Sequence, residues 1–471
     1  MAMFATLFVA STGIQFAFSD QLNNDPRNVR SLYDSYKTKR GAILVDGTPI
    51  VESTPTGDNY YYQRSYTGKL YSAVTGFYSL YQGTTGVEGA MNSYLTGKNS
   101  SQFFEQVNAL LSGNPVEGAS VELTIDPDVQ RAAYKALGKL TGAVVAIEPS
   151  TGRILAMVST PSFNANSLSE HSSKLAQSAY QDLLKADPSP LINRAIAGEL
   201  YAPGSVFKLV VASAAFQSGQ FTPESKIPNP PKFKLPGTNT YVYNSGEGKC
   251  GGRSTVSIAD ALRFSCNVPF AQLGIALGQD RIRAQAELFG FGKQLRIPMS
   301  VTPSIYPTGM DDAQTGLSAF GQFNDRVTPM QMALISAAIA NGGVMMKPTL
   351  IETVLSSNLS TLQQQTPSVL AQPISKTTAD RVKAMMVAAV SSGVSSNGQI
   401  KGISVAGKTG TAQNGDNQPY TLWFTGFAPA DNPKVAVAVV IANGGGMGQS
   451  GFGNLLAAPV ARKVMQAVLR K

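Results

Sequence analysis

A chain of 471 residues exceeds one ordinary domain, and a hydrophobic content of 43% excludes intrinsic disorder while supplying material for a large core. The formal net charge of +9 suits polyanionic surroundings such as an acidic membrane face or a wall polymer. Nucleic acid is a poor partner, because Lys and Arg are scattered and the densest group, Lys37, Lys39 and Arg40, sits not far beyond an apolar segment. The single histidine, His171, lies in a polar stretch and reads as a solvated loop residue. With two cysteines it cannot fill a structural zinc site, and nothing around it resembles the nucleophile elbow of a Ser-His-Asp hydrolase.

Residues 1–18 are apolar apart from Thr6, Ser11, Thr12 and Gln15, and a run of about 18 is the minimum for crossing a bilayer. A cleaved signal peptide is the alternative, with Ala17, Phe18 and Ser19 as its small-residue site, but the run lacks a basic start, so residues 1–19 are read as an uncleaved anchor. No flanking charges fix its orientation, and the natural chain could begin earlier. Residues 20–118 are polar and Tyr-rich, with short strand-like pieces and many turn signals, and read as a non-catalytic pedestal.

A second domain is expected over 119–471. Residues 121–125 alternate as a strand, and Asp126 with Pro127 opens a helix. Residues 141–147 and 153–158 flank the turn Pro149-Ser150-Thr151-Gly152 and predict a hairpin. After Pro203 and Gly204, residues 209–216 predict a buried helix with Ser205 at or beside its N-terminus. Lys208, three residues on, should share a helix face with Ser205 and reach its hydroxyl. Residues 217–257 are rich in Pro, Gly and Lys and read as a long functional loop. Ser265, Cys266 and Asn267 are expected in a loop after a helical run over 258–264.

Farther on, Thr328 caps a helix with Pro329 at its first position and Met330, Ala333, Leu334 and Ala337 on its buried face. A further amphipathic helix is expected over 378–390. Residues 403–411 form a strand ending in Lys408, Thr409, Gly410 and Thr411, followed by strands around 423–427 and 435–441 and a closing helix over 455–469. The fold class is α+β: an antiparallel sheet flanked by helices, read as a mixed sheet joining the two ends of the domain.

Ser-x-x-Lys at Ser205 and Lys208 carries little information alone, since ordinary usage puts about one or two such tetrads in any chain of this length. Followed by Ser265-Cys266-Asn267 and Lys408-Thr409-Gly410, it resembles the motif set of penicillin-binding proteins and serine β-lactamases, with Cys266 where the motif as usually written has Asp. Gly41-Ala42-Ile43-Leu44, the preceding residues 28–40, and Gly83-Thr84-Thr85-Gly86-Val87-Glu88 resemble the pedestal of class B penicillin-binding proteins, most closely their actinobacterial A type.

The resemblance implies a serine D,D-transpeptidase of peptidoglycan, serving the cell wall in division or shape, with no cofactor and no metal. Ser205 would attack a peptide stem ending in D-alanyl-D-alanine and carry the acyl group. Lys208 would be the base, its pKa lowered by burial and by Lys408, and Ser265 would relay a proton to the leaving amine. Asn267 would bind the substrate backbone, Thr409 and Thr411 the terminal carboxylate, and Gly410 would let the substrate lie along the strand edge. The backbone N–H groups of Ser205 and Thr411 would form the oxyanion hole. β-Lactams would acylate Ser205. The resemblance further implies a single-pass bacterial membrane protein with its catalytic domain outside the cytoplasm and a separate glycosyltransferase as partner. The alternatives are a D,D-carboxypeptidase or β-lactamase, for which Glu199 is the acidic residue nearest the nucleophile in sequence, and a non-enzymatic β-lactam sensor. Cys250 and Cys266 read either as inert buried thiols or as a disulfide fixing the loop of Ser265 and Asn267.

Overall fold

The apolar run Val435–Ile441 is buried at every position because it lies inside a five-stranded sheet with helices on both faces. The computed structural model describes residues 38–470 except 59, 114, 115 and 199, with five isolated positions between 3 and 10. Most of the anchor expected over 1–19, the stretch 20–37 and Glu199 lie outside the described residues. Among the described residues, no helix is long and apolar enough to cross a membrane.

The chain divides into two compact units. The larger comprises Leu123–Phe163, Leu183–Glu352 and Gln365–Lys471. It opens with helix α1 (Pro127–Leu137), whose N-cap Asp126 accepts from the N–H groups of Asp128 and Val129 while Pro127 takes the first turn. Strands β1 (Gly142–Ile147) and β2 (Ile154–Thr160) form the expected hairpin. They are followed by α2 (Lys208–Gln217), α3 (Ile258–Arg263), α4 (Asn267–Leu277), α5 (Pro329–Ala340) and α6 (Lys376–Ser392). Strands β3 (Ala406–Ala412), β4 (Thr421–Ala428) and β5 (Val435–Ile441) and helix α7 (Gly453–Leu469) complete the unit.

The sheet order is β3-β4-β5-β1-β2, and every pairing is antiparallel, not mixed. A hairpin from the start of the domain and a three-strand meander from its end join edge to edge, so no crossover strand runs parallel. Along β4, side chains alternate between the faces. Leu422 and Phe424 enter a core shared with α1 and α7. Thr425, on the other face, donates to the Met332 carbonyl at 3.1 Å and pairs with Ser336 at 2.6 Å, both on α5.

Several elements differ from expectation. β3 starts at Ala406, later than the apolar pattern suggests, because Ile403 closes a local bridge with Ile400. Helix α5 is buried on all sides, not on one face, since it fills the space beneath β4, β5 and β1. The long loop over 217–257 holds two short antiparallel pairs, Lys226–Pro228 with Thr255–Ser257 and Lys232–Lys234 with Tyr241–Tyr243. Cross-strand pairing there satisfies backbone groups that Pro and Gly content had made to look irregular.

The smaller unit contains Asn164–Asp182 and Thr353–Gln364 besides the N-terminal residues to Glu122. At its centre Glu88, fully buried, accepts from Arg40 Nε at 2.7 Å and Arg64 Nε at 2.6 Å, while Tyr66 donates its hydroxyl at 3.3 Å. Burial pushes the Glu88 carboxyl pKa up, but the guanidiniums of Arg64 and Arg40 outweigh it and hold the group below its ordinary value. The stability this gives is present above the unfolded-state pKa and lost as pH falls through the folded one. His171 is not solvated: its side chain is 11% exposed, its ring pairs with the Asp58 carboxylate, and Tyr60 stacks obliquely at 4.9 Å. Glu88→Gln keeps the shape but strands two buried cations, so unfolding at pH 7 should show a loss of about 3–5 kcal/mol. A loss below about 1 kcal/mol, the scale of an exposed pair, would show that the cluster is solvated.

Candidate active site

Ser205 lies in a 3-10 turn, Gly204–Phe207, that runs directly into α2. Its neighbours Ala202, Pro203, Gly204, Val206 and Phe207 are buried and Ser205 is half-buried, so the turn offers this hydroxyl to the surface. Two contacts hold the turn. The indole N–H of Trp423 on β4 donates to the Ala202 carbonyl at 2.9 Å. Gly204 N–H donates to the Gly321 carbonyl at 2.9 Å, and at Gly321 (φ +78°) a Cβ would stand 1.9 Å from the Gly204 carbonyl oxygen, so only glycine fits.

Lys208, at the start of α2, is fully buried. Its Nζ donates to the Ser265 carbonyl at 2.8 Å and to Asn267 Oδ1 at 2.9 Å, with Ser265 Oγ at 3.4 Å. These three partners suit either the three N–H bonds of an ammonium or a neutral amine whose lone pair faces the Ser265 hydroxyl. Lys408, from β3, is also fully buried and donates to Ser265 Oγ at 2.8 Å and to the Thr409 carbonyl at 2.7 Å. Burial and then the Lys408 charge hold the Lys208 pKa well below that of an ordinary lysine, while burial alone brings Lys408 to about 7. Burial lowers the proton affinity of both amines, and Ser265 stands between them.

Ser265 occupies a position built for glycine. Its N–H donates to the Leu262 carbonyl and that of Cys266 to the Ala261 carbonyl, the bond pair that ends α3 in a Schellman motif. The residue between takes φ +59°, the left-handed region that a side chain enters at a cost of about 1–2 kcal/mol. Cys266 is bonded to Cys250 with a Cα separation of 5.7 Å, which decides between the thiol and disulfide readings. Asn267 is the first residue of α4 and not a loop residue; its side-chain N–H donates to the Tyr243 carbonyl at 3.1 Å.

Strand β3 is a sheet edge, so alternate residues turn their N–H and C=O groups away from β4. Thr409 faces outward, its N–H donating to Ser395 Oγ at 3.1 Å, and by the same alternation Thr411 presents its N–H to the nucleophile turn. At Gly410 a Cβ would lie 2.9 Å from the Pro203 carbonyl oxygen. Thr411 Oγ1 accepts from Gly453 N–H at 3.3 Å, leaving its own proton to donate, whereas the Thr409 hydroxyl is engaged with Ser395 Oγ at 3.1 Å and the Val394 carbonyl at 3.3 Å.

Residues 142–466 match the penicillin binding protein transpeptidase domain and residues 40–121 the penicillin binding protein A dimerisation domain. The chain belongs to the penicillin-binding protein transpeptidase family. It is 38% identical to the peptidoglycan D,D-transpeptidase PbpA of Mycolicibacterium smegmatis, over all of this chain and 97% of that protein. Identity to PbpA of Mycobacterium tuberculosis is also 38%, with the same coverage. The fold superposes on a ceftriaxone acyl-enzyme complex of penicillin-binding protein A from M. tuberculosis with a TM-score of 0.89 at 37% identity, covering 93% of this chain and all of that one.

In this penicillin-binding protein the structure brings Lys208, Ser265, Asn267 and Lys408 into one hydrogen-bonded group and sets the Ser205 turn against the edge carrying Gly410 and Thr411. Sequence reading missed Trp423, Ser395 and Asn244. A buried Trp in a strand carries no mark of what its N–H binds, and loop Ser and Asn residues have no periodicity to betray a partner. The left-handed Ser265 yields a test. Ser265→Gly should keep or raise the thermal midpoint, since backbone strain is relieved, while penicillin acylation falls at least about 100-fold with the loss of the proton relay. A destabilised variant that acylates normally would contradict both assignments.

Proposed function

We infer that the protein is a peptidoglycan D,D-transpeptidase that cross-links peptide stems through an acyl-enzyme on Ser205. The observation that carries this reading is the buried pair of amines, Lys208 directly after the nucleophile turn and Lys408 on β3, bridged by the Ser265 hydroxyl. Ser205 Oγ attacks the carbonyl of the penultimate D-alanine while its proton passes to the Lys208 lone pair. The N–H groups of Ser205 and Thr411 hold the oxyanion, and one such donor is typically worth about 3 kcal/mol. Ser265 then carries a proton from Lys208 to the departing D-alanine amine as the C–N bond breaks. An acceptor amine attacks the ester by the reverse route.

Thr411, whose hydroxyl proton is free, binds the terminal carboxylate with Thr409 and the Lys408 charge behind them. Asn267 meets the substrate backbone, and Gly410 lets the stem lie along the β3 edge as an added strand. β-Lactams imitate the D-alanyl-D-alanine amide and acylate the same serine. We place an anchor at 1–19, a dimerisation-like pedestal at 20–118 and the catalytic domain at 119–471, outside the cytoplasmic membrane, where the Cys250–Cys266 disulfide persists. A separate glycosyltransferase supplies the glycan strands.

The transpeptidase and hydrolase readings share the acyl-enzyme and part at its fate. A thioester donor should yield acid alone and increasingly amide as a D-amino acid is added, because a positioned amine gains about 7–11 kcal/mol of the barrier from orientation. Ser205→Ala should give neither product and take no fluorescent penicillin. Rapid hydrolysis of penicillin with no amide at any acceptor concentration would favour a β-lactamase, and surviving label in Ser205→Ala would remove the nucleophile.

A further inference from the structure

Helix α4 begins at Asn267, and its N-cap position is held by Cys266, whose side chain makes no capping bond and is committed to the disulfide. A helix of 11 residues so placed leaves its first N–H groups without a local acceptor. The acceptor comes from 23 residues away: Asn244 Oδ1 accepts from Asn267 N–H and, also at 3.0 Å, from Val268 N–H. Asn244 is 3% exposed, and its own amide N–H bonds go to Asn229 Oδ1 at 3.1 Å and the Gly248 carbonyl at 3.1 Å. Asn229, wholly buried, donates to the carbonyls of Cys250 at 2.7 Å and Arg253 at 2.8 Å and accepts from Cys250 N–H at 3.3 Å. Neither amide can flip, since each oxygen already faces donors and each nitrogen acceptors.

The strand end that places Asn244 also fixes the Asn267 side chain, whose N–H donates to the carbonyl of Tyr243, the residue before Asn244, at 3.1 Å. That bond points Asn267 Oδ1 at Lys208 Nζ, 2.9 Å away. We propose that Asn244, locked in place by Asn229, is a positioning residue that caps α4 in trans and thereby sets the Asn267 carbonyl against the Lys208 amine. It touches neither substrate nor reacting atoms. Its action is on one of the two carbonyls that take the Lys208 N–H bonds, and the inference rests on the reading of Lys208 as the acylation base.

The consequence is a pH signature. A carbonyl acceptor favours the ammonium over the amine, so displacing the Asn267 oxygen lowers the Lys208 pKa and moves the acidic limb of the acylation rate to lower pH. Lys408, the charged neighbour facing Lys208, is untouched by the change. Asn244→Asp keeps the acceptor for Asn267 and Val268 N–H, where a helix N-terminus favours an anion, gives up the N–H bonds to Asn229 Oδ1 and the Gly248 carbonyl, and by its added negative charge moves the limb the other way. The purified full chain should be labelled by fluorescent penicillin across pH, with the thermal midpoint and disulfide closure measured on each variant. Acylation of the parent at Ser205 tests the functional reading by itself. Asn244→Ala should acylate about a hundredfold more slowly at neutral pH, the scale of a misplacement near 1 Å, with its limb displaced downward. Asn244→Asp should acylate faster than Asn244→Ala, because the helix cap is kept, with its limb displaced upward. If Asn244→Ala does not fold, the Asn244→Asp limb decides alone. Parental rates in Asn244→Ala, or slower rates in either folded variant with an unmoved limb, would overturn the proposal.

Discussion

Two lysine amines enclosed in one cleft, with no carboxylate acceptor among the described residues, are the constraint on which the site depends. Among the described residues neither Lys208 nor Lys408 bonds to an anion; their acceptors are carbonyl oxygens, a hydroxyl and an amide. Two ammonium ions at close quarters in a low dielectric disfavour one another, and burial adds to this, so the pair is poised to surrender a proton. A base is thereby made without a histidine. The surrounding architecture serves to keep this unfavourable arrangement in place.

That service comes from rigid pieces. Trp423 ties the nucleophile turn to the sheet, Gly321 closes on Gly204, and the disulfide with Asn229 and Asn244 braces the turn holding Ser265 and Asn267. A disulfide closing a loop of this length contributes about 3 kcal/mol in the chain-entropy picture. Ser265 works against stability, since a hydroxyl stands where α3 asks for glycine. Strain at a functional residue, offset by well-satisfied neighbours, is the pattern expected where chemistry overrides packing.

Much of this is legible in the sequence. The hairpin at 142–160 and the meander at 406–441 show in their apolar runs, and Asp126-Pro127 and Thr328-Pro329 mark helix starts because capping is local. The three motifs name Ser205, Lys208, Ser265, Asn267 and Lys408 by order alone. What escapes is what depends on distant partners. Helical spacing sends Lys208 toward Ser205 but is silent on Asn267, which packing of α4 beside α2 brings within reach of the same amine. The Arg40–Glu88–Arg64 cluster joins three separated segments, and no local pattern distinguishes a buried Glu from a solvated one.

The account stands on the charge state of Lys208, and this can be measured directly. In protein carrying isotope-labelled lysine, the side-chain resonance of Lys208, assigned by its loss in Lys208→Arg, should be followed through a pH titration by NMR. It should titrate well below the solvent-exposed lysines, which lie near about 10.4, and Lys408→Met should move it upward by removing the neighbouring charge. A Lys208 that titrates with the exposed lysines, or that is unmoved by Lys408→Met, would contradict the account.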